Sequence, residues 1–597
     1  MKKFITSLFV LVVTMVSLLG WTFPSNEDWR EKVDPKLLAK AEKNDQLDFL
    51  VVLEKQANAE AARNLKTKEE KGRHVFNLLQ QTAKESQQPI IDFLKEKGAV
   101  FQSLFIVNAL HVKGDLALIQ SLAEMPEIAS IQDNSPVLME RPIETSFTDE
   151  RGPEAIEWGI DMINANDVWD MGYTGQGVVV GGQDTGYDWD HPALQKKYRG
   201  WDETTQTADH NYNWHDAIHE INLLHGDSII APSNNPCGLN SPIPCDDHNH
   251  GTHTMGTMIG EDGENQIGVA PGARWIACRN MERGYGSPFT YLECFQWFLA
   301  PTDLNNQNPD PSKAPHVINN SWSCPTMEGC NPANFAIMEN AINFLNMAGV
   351  VVVVSAGNSG SGCSSVNAPA AMFANSFSVG ATKQNDTLAN FSSRGPVLVD
   401  SSGLMKPNVS APGVGVRSSI RNGGYAFFSG TSMAGPHVVG AVALIISANP
   451  DLAGQVETIE SILEQTAVPK TSAQECGGVP GTEVPNNSYG YGRIDALAAV
   501  EAALNLLTAT EETSRETSFV KIYPNPFTGL VNFESKNLTG EATIELFDVN
   551  GKLIRRKVWM ATSDSSIQFS LEDLPGGIYF YKIIQKEKMM QGKLVKQ

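Results

Sequence analysis

Three segments of the 597-residue chain set a reactive side chain among small neighbours: Asp184 in Gln183-Asp184-Thr185-Gly186, His250 in His250-Gly251-Thr252-His253-Thr254-Met255-Gly256, and Ser432 in Gly430-Thr431-Ser432-Met433-Ala434-Gly435-Pro436-His437. A hydroxyl is a weak nucleophile until a base takes its proton. Imidazole titrates near neutrality and can be that base, while a carboxylate can hold the imidazole's tautomer and stabilise its charged form. Each signal is weak alone. Asp-Thr-Gly is also an aspartic-protease signature, but that chemistry needs two carboxylates sharing a proton, and the chain has no second Asp-Thr-Gly or Asp-Ser-Gly. A lone histidine is more often structural, and a serine opening an apolar helix can be simply an N-cap. The chain order Asp, His, Ser separates the set from α/β-hydrolase esterases, which run Ser, Asp/Glu, His around Gly-x-Ser-x-Gly. Here Ala434, not glycine, stands two residues after Ser432.

The elements that must position these groups follow from the apolar pattern. Asp184 comes directly after the run at 178–180, which places it at the carboxyl end of a strand, where α/β sites assemble. Ser432 precedes the apolar stretch 438–446 and so opens a buried helix, whose N-terminal donors and dipole favour negative charge. Between about 156 and 506, short Val/Ile-rich runs at 178–180, 275–277, 317–318, 350–354 and 377–379 alternate with helical segments. Runs apolar on both faces fit buried parallel strands, so the expected fold is α/β, a three-layer sandwich with a mostly parallel sheet. Upstream, residues 47–135 read as a small α/β unit. It has an extended run at 48–53, a Lys/Glu/Gln-rich helical stretch to about 97, strands within 99–112, an amphipathic helix at 115–123 and a strand at 128–132. Between 134 and 153, Pro136, Pro142, Pro153 and several charges suit an exposed, cleavable linker. Residues 507–518 are rich in Thr and Glu and read as a second linker. Residues 519–597 show short strands with turn signals at Asn550-Gly551 and Gly576-Gly577, which predict a β-sandwich domain. The expected division is 1–24 leader, 25–150 small α/β unit and linker, 151–506 main α/β domain, 507–518 linker and 519–597 β-sandwich.

Composition narrows the partners. A net charge of −23 opposes binding to phosphate backbones, so nucleic acid is not an expected partner. Lys2 and Lys3 precede an apolar run ending at Leu19, the pattern of an export signal. Eight cysteines in an exported chain predict disulfides, and the short loops Cys237 to Cys245 and Cys324 to Cys330 suggest two pairs by proximity. No CxxC spacing appears. His215 and His219 could share one helix face but have no third ligand at metal spacing, so no metal site is expected.

Together the three motifs resemble the subtilisin-like serine proteases (peptidase family S8). Gly268-Val269-Ala270-Pro271, Asn319-Asn320-Ser321-Trp322, Ser355-Ala356-Gly357-Asn358, Phe391-Ser392-Ser393-Arg394-Gly395-Pro396, Lys406-Pro407-Asn408 and Ala411-Pro412-Gly413 extend the likeness in the same order. Asp188-Trp189-Asp190-His191-Pro192 and Ala273-Arg274-Trp275-Ile276 resemble its bacillopeptidase F-like branch. The resemblance implies a serine-type endopeptidase acting through an acyl-enzyme, with Asp184, His250 and Ser432 as triad and Asn358 donating to the oxyanion beside the Ser432 N–H. It implies protein or peptide substrates extended beside Ser321, Trp322 and Ser323, with Asn367 and Pro369 closing the pocket for the side chain before the cut. It requires no cofactor. In many relatives a calcium loop interrupts the helix after the histidine motif; Gly260 to Gly268 is too short for it, and other calcium sites are not readable. Residues 47–135 resemble the inhibitor I9-type propeptide of such enzymes, which assists folding and blocks the site until cut. Ile522-Tyr523-Pro524-Asn525-Pro526, Leu546-Phe547-Asp548-Val549-Asn550-Gly551 and Leu574-Pro575-Gly576-Gly577-Ile578-Tyr579 resemble a type IX secretion sorting domain, which implies an outer-membrane secretion machinery as partner and a secreted or cell-surface location. A catalytically silent binding protein of the same fold and an esterase are the competing classes.

Overall fold

In the computed structural model, residues 29–596 are described except 45, 140–142, 147–155, 223, 225–234, 264, 323–331, 516–519, 536–538, 549–551, 563–564 and 586–587. The expected leader, Ser323, Cys324, Cys330 and the Asn550-Gly551 turn therefore lie outside the described residues. The chain forms two compact units, residues 1–503 and 504–597.

The first unit begins with an antiparallel sheet of β1 (Leu47–Leu53), β2 (Val100–Leu104), β3 (Ala109–Gly114) and β4 (Ile128–Asp133), in the order β2-β3-β1-β4. Helix α1 (Lys68–Lys97) starts on a Thr67/Glu70 capping box and ends on Gly98 in the left-handed region, φ 66°. It is shorter than the helical stretch expected from 57, because residues 60–64 form a separate 3₁₀ turn. Helix α2 (Leu116–Ala123) is capped by the Asp115 side chain. Phe49, Val51, Ile90, Leu94, Val112, Ile119 and Ile131 close a core of their own. A second apolar cluster joins this sheet to the main domain, for Leu50, Val75, Leu104 and Ile106 pack with Phe295, Phe298 and Met338. At that junction the Phe105 amide donates to Gln296 Oε1 at 2.6 Å and the His111 ring stacks on Phe289 at 3.9 Å.

The stretch expected as an exposed linker is partly bound. β5 (Val137–Leu138) and β6 (Ile143–Ser146) each add to an edge further along the chain, and Met139 is buried at 2% exposure. Proline and charge content predicted exposure here. An open strand edge with unpaired N–H and C=O groups overrides composition.

The main domain is built on seven parallel strands, β7 (Val179–Asp184), β8 (Trp214–Asp216), β9 (Arg274–Arg279), β11 (Val317–Asn320), β12 (Val351–Ser355), β13 (Phe377–Thr382) and β14 (Val409–Pro412), with a short antiparallel strand β10 (Tyr285–Gly286) between β9 and β11 in the chain. Apart from β10, which pairs with β5, they form one sheet ordered β8-β9-β7-β11-β12-β13-β14. Every residue of β11, β12 and β13 is buried, as the apolar runs predicted. β8 and β14 are too short and polar to have been read from sequence.

Helix α3 (His250–Ile259) packs on α6 (Thr431–Ala448), which lies against β11 to β14; α4 (Pro288–Leu299) packs on α5 (Pro332–Met347), which lies against β12. The fold is the three-layer α/β sandwich. α6 is apolar and long enough to cross a membrane by composition, yet 94% of it is buried within the protein, as befits a central core helix. Its first turn is flanked by the hairpin β15 (Val416–Ile420) and β16 (Gly424–Ser429). Disulfides join Cys237 to Cys245, Cys278 to Cys294 and Cys363 to Cys476. Only the first was suggested by proximity.

Helix α7 (Ala496–Arg515) runs through most of the stretch expected as the 507–518 linker, because the Ala/Leu-rich start carries helix into it. In the second unit a three-stranded and a four-stranded antiparallel sheet share one core of Val531, Phe533, Ile544, Leu546, Phe569, Ile583 and Leu594. This is the expected β-sandwich.

Candidate active site

β7 is the interior strand at which the sheet order reverses, with β9 on one side and β11 on the other, and Asp184 is its last residue. Open α/β sheets form their crevices at such switch points, beyond the carboxyl ends of the strands. His250 opens α3, and its Nδ1 meets Asp184 Oδ1 at 2.7 Å, an oxygen that also accepts the Thr185 amide at 2.7 Å. Gly251 makes this approach possible, since a Cβ there would collide with the Gly186 carbonyl. Both His250 and Asp184 are fully buried. His250 Nε2 has no hydrogen-bond partner among the described residues.

Sequence reasoning missed Asp246. Asn249, the residue before α3, lies in the left-handed region and provides no cap. Asp246 replaces it, accepting the amides of His248 at 2.8 Å, Asn249 at 3.1 Å and Thr252 at 3.1 Å, and the Thr252 hydroxyl at 2.6 Å. The Thr185 hydroxyl donates to the same carboxylate at 2.9 Å. One side chain thus fastens the helix that begins with His250 to the end of the strand that carries Asp184. The available signal was an acidic residue just ahead of a helix start, a common capping pattern.

Ser432 is the second residue of α6, and its hydroxyl donates to the Ser321 carbonyl at 3.3 Å while the Ser321 hydroxyl donates to the Ser432 carbonyl at 3.0 Å. Asn358, on the loop leaving β12, accepts from Thr431 N at 2.8 Å and Thr431 Oγ1 at 2.9 Å through Oδ1. The position a Cβ on Gly430 would take lies 3.6 Å from Asn358 Nδ2 and 3.7 Å from Ser432 N, so both nitrogens border Gly430 at the start of α6.

A small cleft is lined by Ser321, Trp322, Ser355, Gly357, Asn358, Thr431 and Ser432. The Trp322 indole is buried and stacked on Tyr291 at 3.9 Å, so its ring is held by the packing behind the cleft. Asn367 is exposed and is not among these lining residues.

Two further histidine readings change. His215 sits in β8 and His219 in the following loop, not on a helix, and both Nε2 atoms meet Glu293 of α4 at 2.9 Å. Burial works against charge on His219, but the Glu293 carboxylate outweighs it and raises the imidazole to about 9. His253, one turn after His250, is pushed down to about 3 by burial and then by the His250 ring, and stacks neutral on Phe428 at 4.3 Å. Among the described residues no group of three His, Cys, Asp or Glu side chains is placed to hold a metal ion.

With this geometry in place, the comparisons with known proteins are direct. Residues 175–492 match the subtilase family, and residues 521–597 match the secretion system C-terminal sorting domain. The chain belongs to the subtilase family, and its tail marks it for type IX export, secreted or held at the cell surface. Bacillopeptidase F of Bacillus subtilis (strain 168) is 34% identical over 522 residues, 82% of this chain but 33% of that relative's length. Subtilisin E of the same organism is 28% identical over 60% of this chain and 76% of its own length. Subtilisin Savinase of Lederbergia lenta is 30% identical over 58% of this chain and 99% of its own.

Proposed function

We propose that the protein is a serine endopeptidase, made as a self-covered zymogen, that cuts peptide bonds through Asp184, His250 and Ser432. The observation that carries this reading is the fully buried 2.7 Å Asp184–His250 pair, with His250 opening a helix that packs on the helix whose first turn carries Ser432. Asp184 accepts from Nδ1, which leaves Nε2 as the base. The Ser432 hydroxyl leaves the Ser321 carbonyl for His250 Nε2, gives up its proton there and attacks the peptide carbonyl; contacts of this kind tighten only when substrate is bound. His250 then returns the proton to the leaving amine. Asn358 Nδ2 and Ser432 N stabilise the oxyanion, charge that develops only along the reaction path.

Residues 25–150 act as the propeptide. β5 pairs with Tyr285–Gly286, and β6 pairs Ile143 with Ser429, three residues before Ser432, so the chain is bound on both sides of the nucleophile. The sheet behind is anchored by Phe105 N on Gln296 and by Lys71 Nζ on the Gly454 carbonyl at 2.7 Å. Secretion through the sorting domain precedes or accompanies its removal. A fluorophosphonate probe tests the reading: it labels the processed protein and fails to label Ser432→Ala. Correctly processed protein that takes no label would overturn it.

A further inference from the structure

Three amide side chains form a row inside an otherwise apolar layer. In the parallel register Cys278, Gln183, Asn320 and Val354 lie side by side across β9, β7, β11 and β12, and so share one face of the sheet. Cys278 and Val354 belong there to the apolar cluster that holds Phe295 and Trp322. Between them Gln183 and Asn320 are wholly buried, as is Asn280 just beyond β9. The three amides are joined head to tail. Asn280 Nδ2 donates to Gln183 Oε1 at 3.0 Å, Gln183 Nε2 donates to Asn320 Oδ1, and Asn320 Nδ2 donates to the Val353 carbonyl at 3.0 Å. A carbonyl can only accept, so the last bond fixes the direction of every amide before it. The row begins at Asn280 Oδ1, which has no hydrogen-bond partner among the described residues.

None of these amides is among the residues that line the cleft, yet each adjoins one that serves the reaction. Gln183 precedes Asp184, and Asn320 precedes Ser321, whose hydroxyl and carbonyl both bond Ser432. Asn280 donates its backbone N–H to the Asp184 carbonyl at 3.0 Å. We infer that Gln183 is a positioning residue for peptide hydrolysis: its amide ties the end of β7 to the end of β11 and so sets the spacing between the Asp184–His250 pair and Ser321, against which Ser432 is held. The inference rests on the endopeptidase reading above. The ladder between the two strands ends on the pair Gln183 and Asn320, so Asp184 and Ser321 follow it without a pairing of their own. The side-chain bond at that last pair is therefore the final lateral tie before the two halves of the site. Apolar side chains of the same shape would fill the layer but carry no direction, whereas a satisfied row of amides specifies one arrangement. A displacement of about 1 Å between reacting groups can cost on the order of 10²-fold in rate, so a tie of this kind acts on turnover.

The wild type is compared with Gln183→Met and with a triple variant, Gln183→Met plus Asn280→Leu and Asn320→Leu, that removes the whole row at nearly constant volume. Each full chain is expressed and processed, and its active sites are counted with a fluorophosphonate. Values of kcat and KM are read per labelled site on one internally quenched peptide, with thermal midpoints alongside. Gln183→Met strands two buried amides and is expected to lower the thermal midpoint and to lower kcat by ~10-fold or more, with KM within ~2-fold of the wild type. In the triple variant no side-chain amide of the row is left unpaired, so the midpoint is expected to return toward the wild type while kcat stays ~10-fold down. A row that served stability alone would give back kcat together with the midpoint. A triple variant with wild-type kcat therefore overturns the positioning role, as does a Gln183→Met enzyme of unchanged kcat. So does a triple variant that cannot fold, since the amides would then serve the fold itself. Wild-type protein that neither labels nor digests casein overturns the endopeptidase reading, and the positioning role with it.

Discussion

The molecule buries histidine against carboxylate in two places, with opposite outcomes. At the carboxyl end of β7, His250 holds Asp184 through Nδ1 at 2.7 Å and its Nε2 is left without a partner among the described residues. Beside α4, Glu293 receives two imidazoles at 2.9 Å, and the second nitrogen of His219 is taken by Asn240 Oδ1 at 2.5 Å. His215 lies parallel to the Trp297 ring at 5.9 Å. Burial works against Glu293's charge, but the two imidazoles hold its carboxyl well below its ordinary range. The contact chemistry is nearly the same in both places. What separates the two places is the second imidazole nitrogen, which Asn240 takes on His219 and which no described residue takes on His250.

The comparison breaks most easily at its catalytic end. Ser432→Ala is expected to lower kcat by about 10⁶-fold and to block processing of the precursor, read by casein hydrolysis and by gel mobility. Asp184→Asn keeps the shape of the pair but favours the wrong tautomer, and kcat is expected to fall by about 10⁴-fold with little change in KM. If either variant kept wild-type turnover, His250 would be a clamp like His219. Asn358→Ala removes one of the two proposed oxyanion donors and is expected to cost about 10²–10³ in kcat.

The clamp is probed through stability. Glu293→Gln takes the counter-charge from half-exposed His219 and an acceptor from buried His215 and is expected to destabilise the fold by about 1–3 kcal/mol, while the kcat of the folded fraction is unchanged. Because the folded pKa of His219 lies near 9, above its ordinary 6.5, its contribution is complete below about pH 6.5 and is lost as pH rises through about 9. Thermal midpoints from pH 6 to 10 should show this decline in the wild type and not in Glu293→Gln. The smallest effect is expected from Asn240→Ala, about 1 kcal/mol. It frees a nitrogen on His219 and, in a Ser432→Ala background, should generate no hydrolysis, which separates an open nitrogen from an open nitrogen beside a nucleophile.

Much of this was legible in the residues. Motifs with small neighbours and fixed chain order pointed to Asp184, His250 and Ser432, and the doubly apolar runs located five of the seven sheet strands. Local polarity misled at the other two, since Trp214–Asp216 and Val409–Pro412 are short and are strands only because the sheet presents an edge to them. Proline and charge suggested a free linker where β5 and β6 are in fact bound, and a four-residue spacing suggested a helix face for His215 and His219 where none exists. In each case a partner distant in sequence supplied the decisive interaction. The Asp246 cap shows the same limit, because its value comes from Thr185, 61 residues away.

Residue types and their order thus determined the fold class, the subtilase family and the C-terminal sorting domain, because apolar periodicity and short motifs are local and survive without coordinates. The tertiary structure alone decided which histidine nitrogen stays open, which carboxylate clamps and which caps, and that Val137–Leu138 and Ile143–Ser146 pair with strands of the main domain. Those outcomes depend on distances between segments, and on whether a polar atom buried by one segment finds its partner in another.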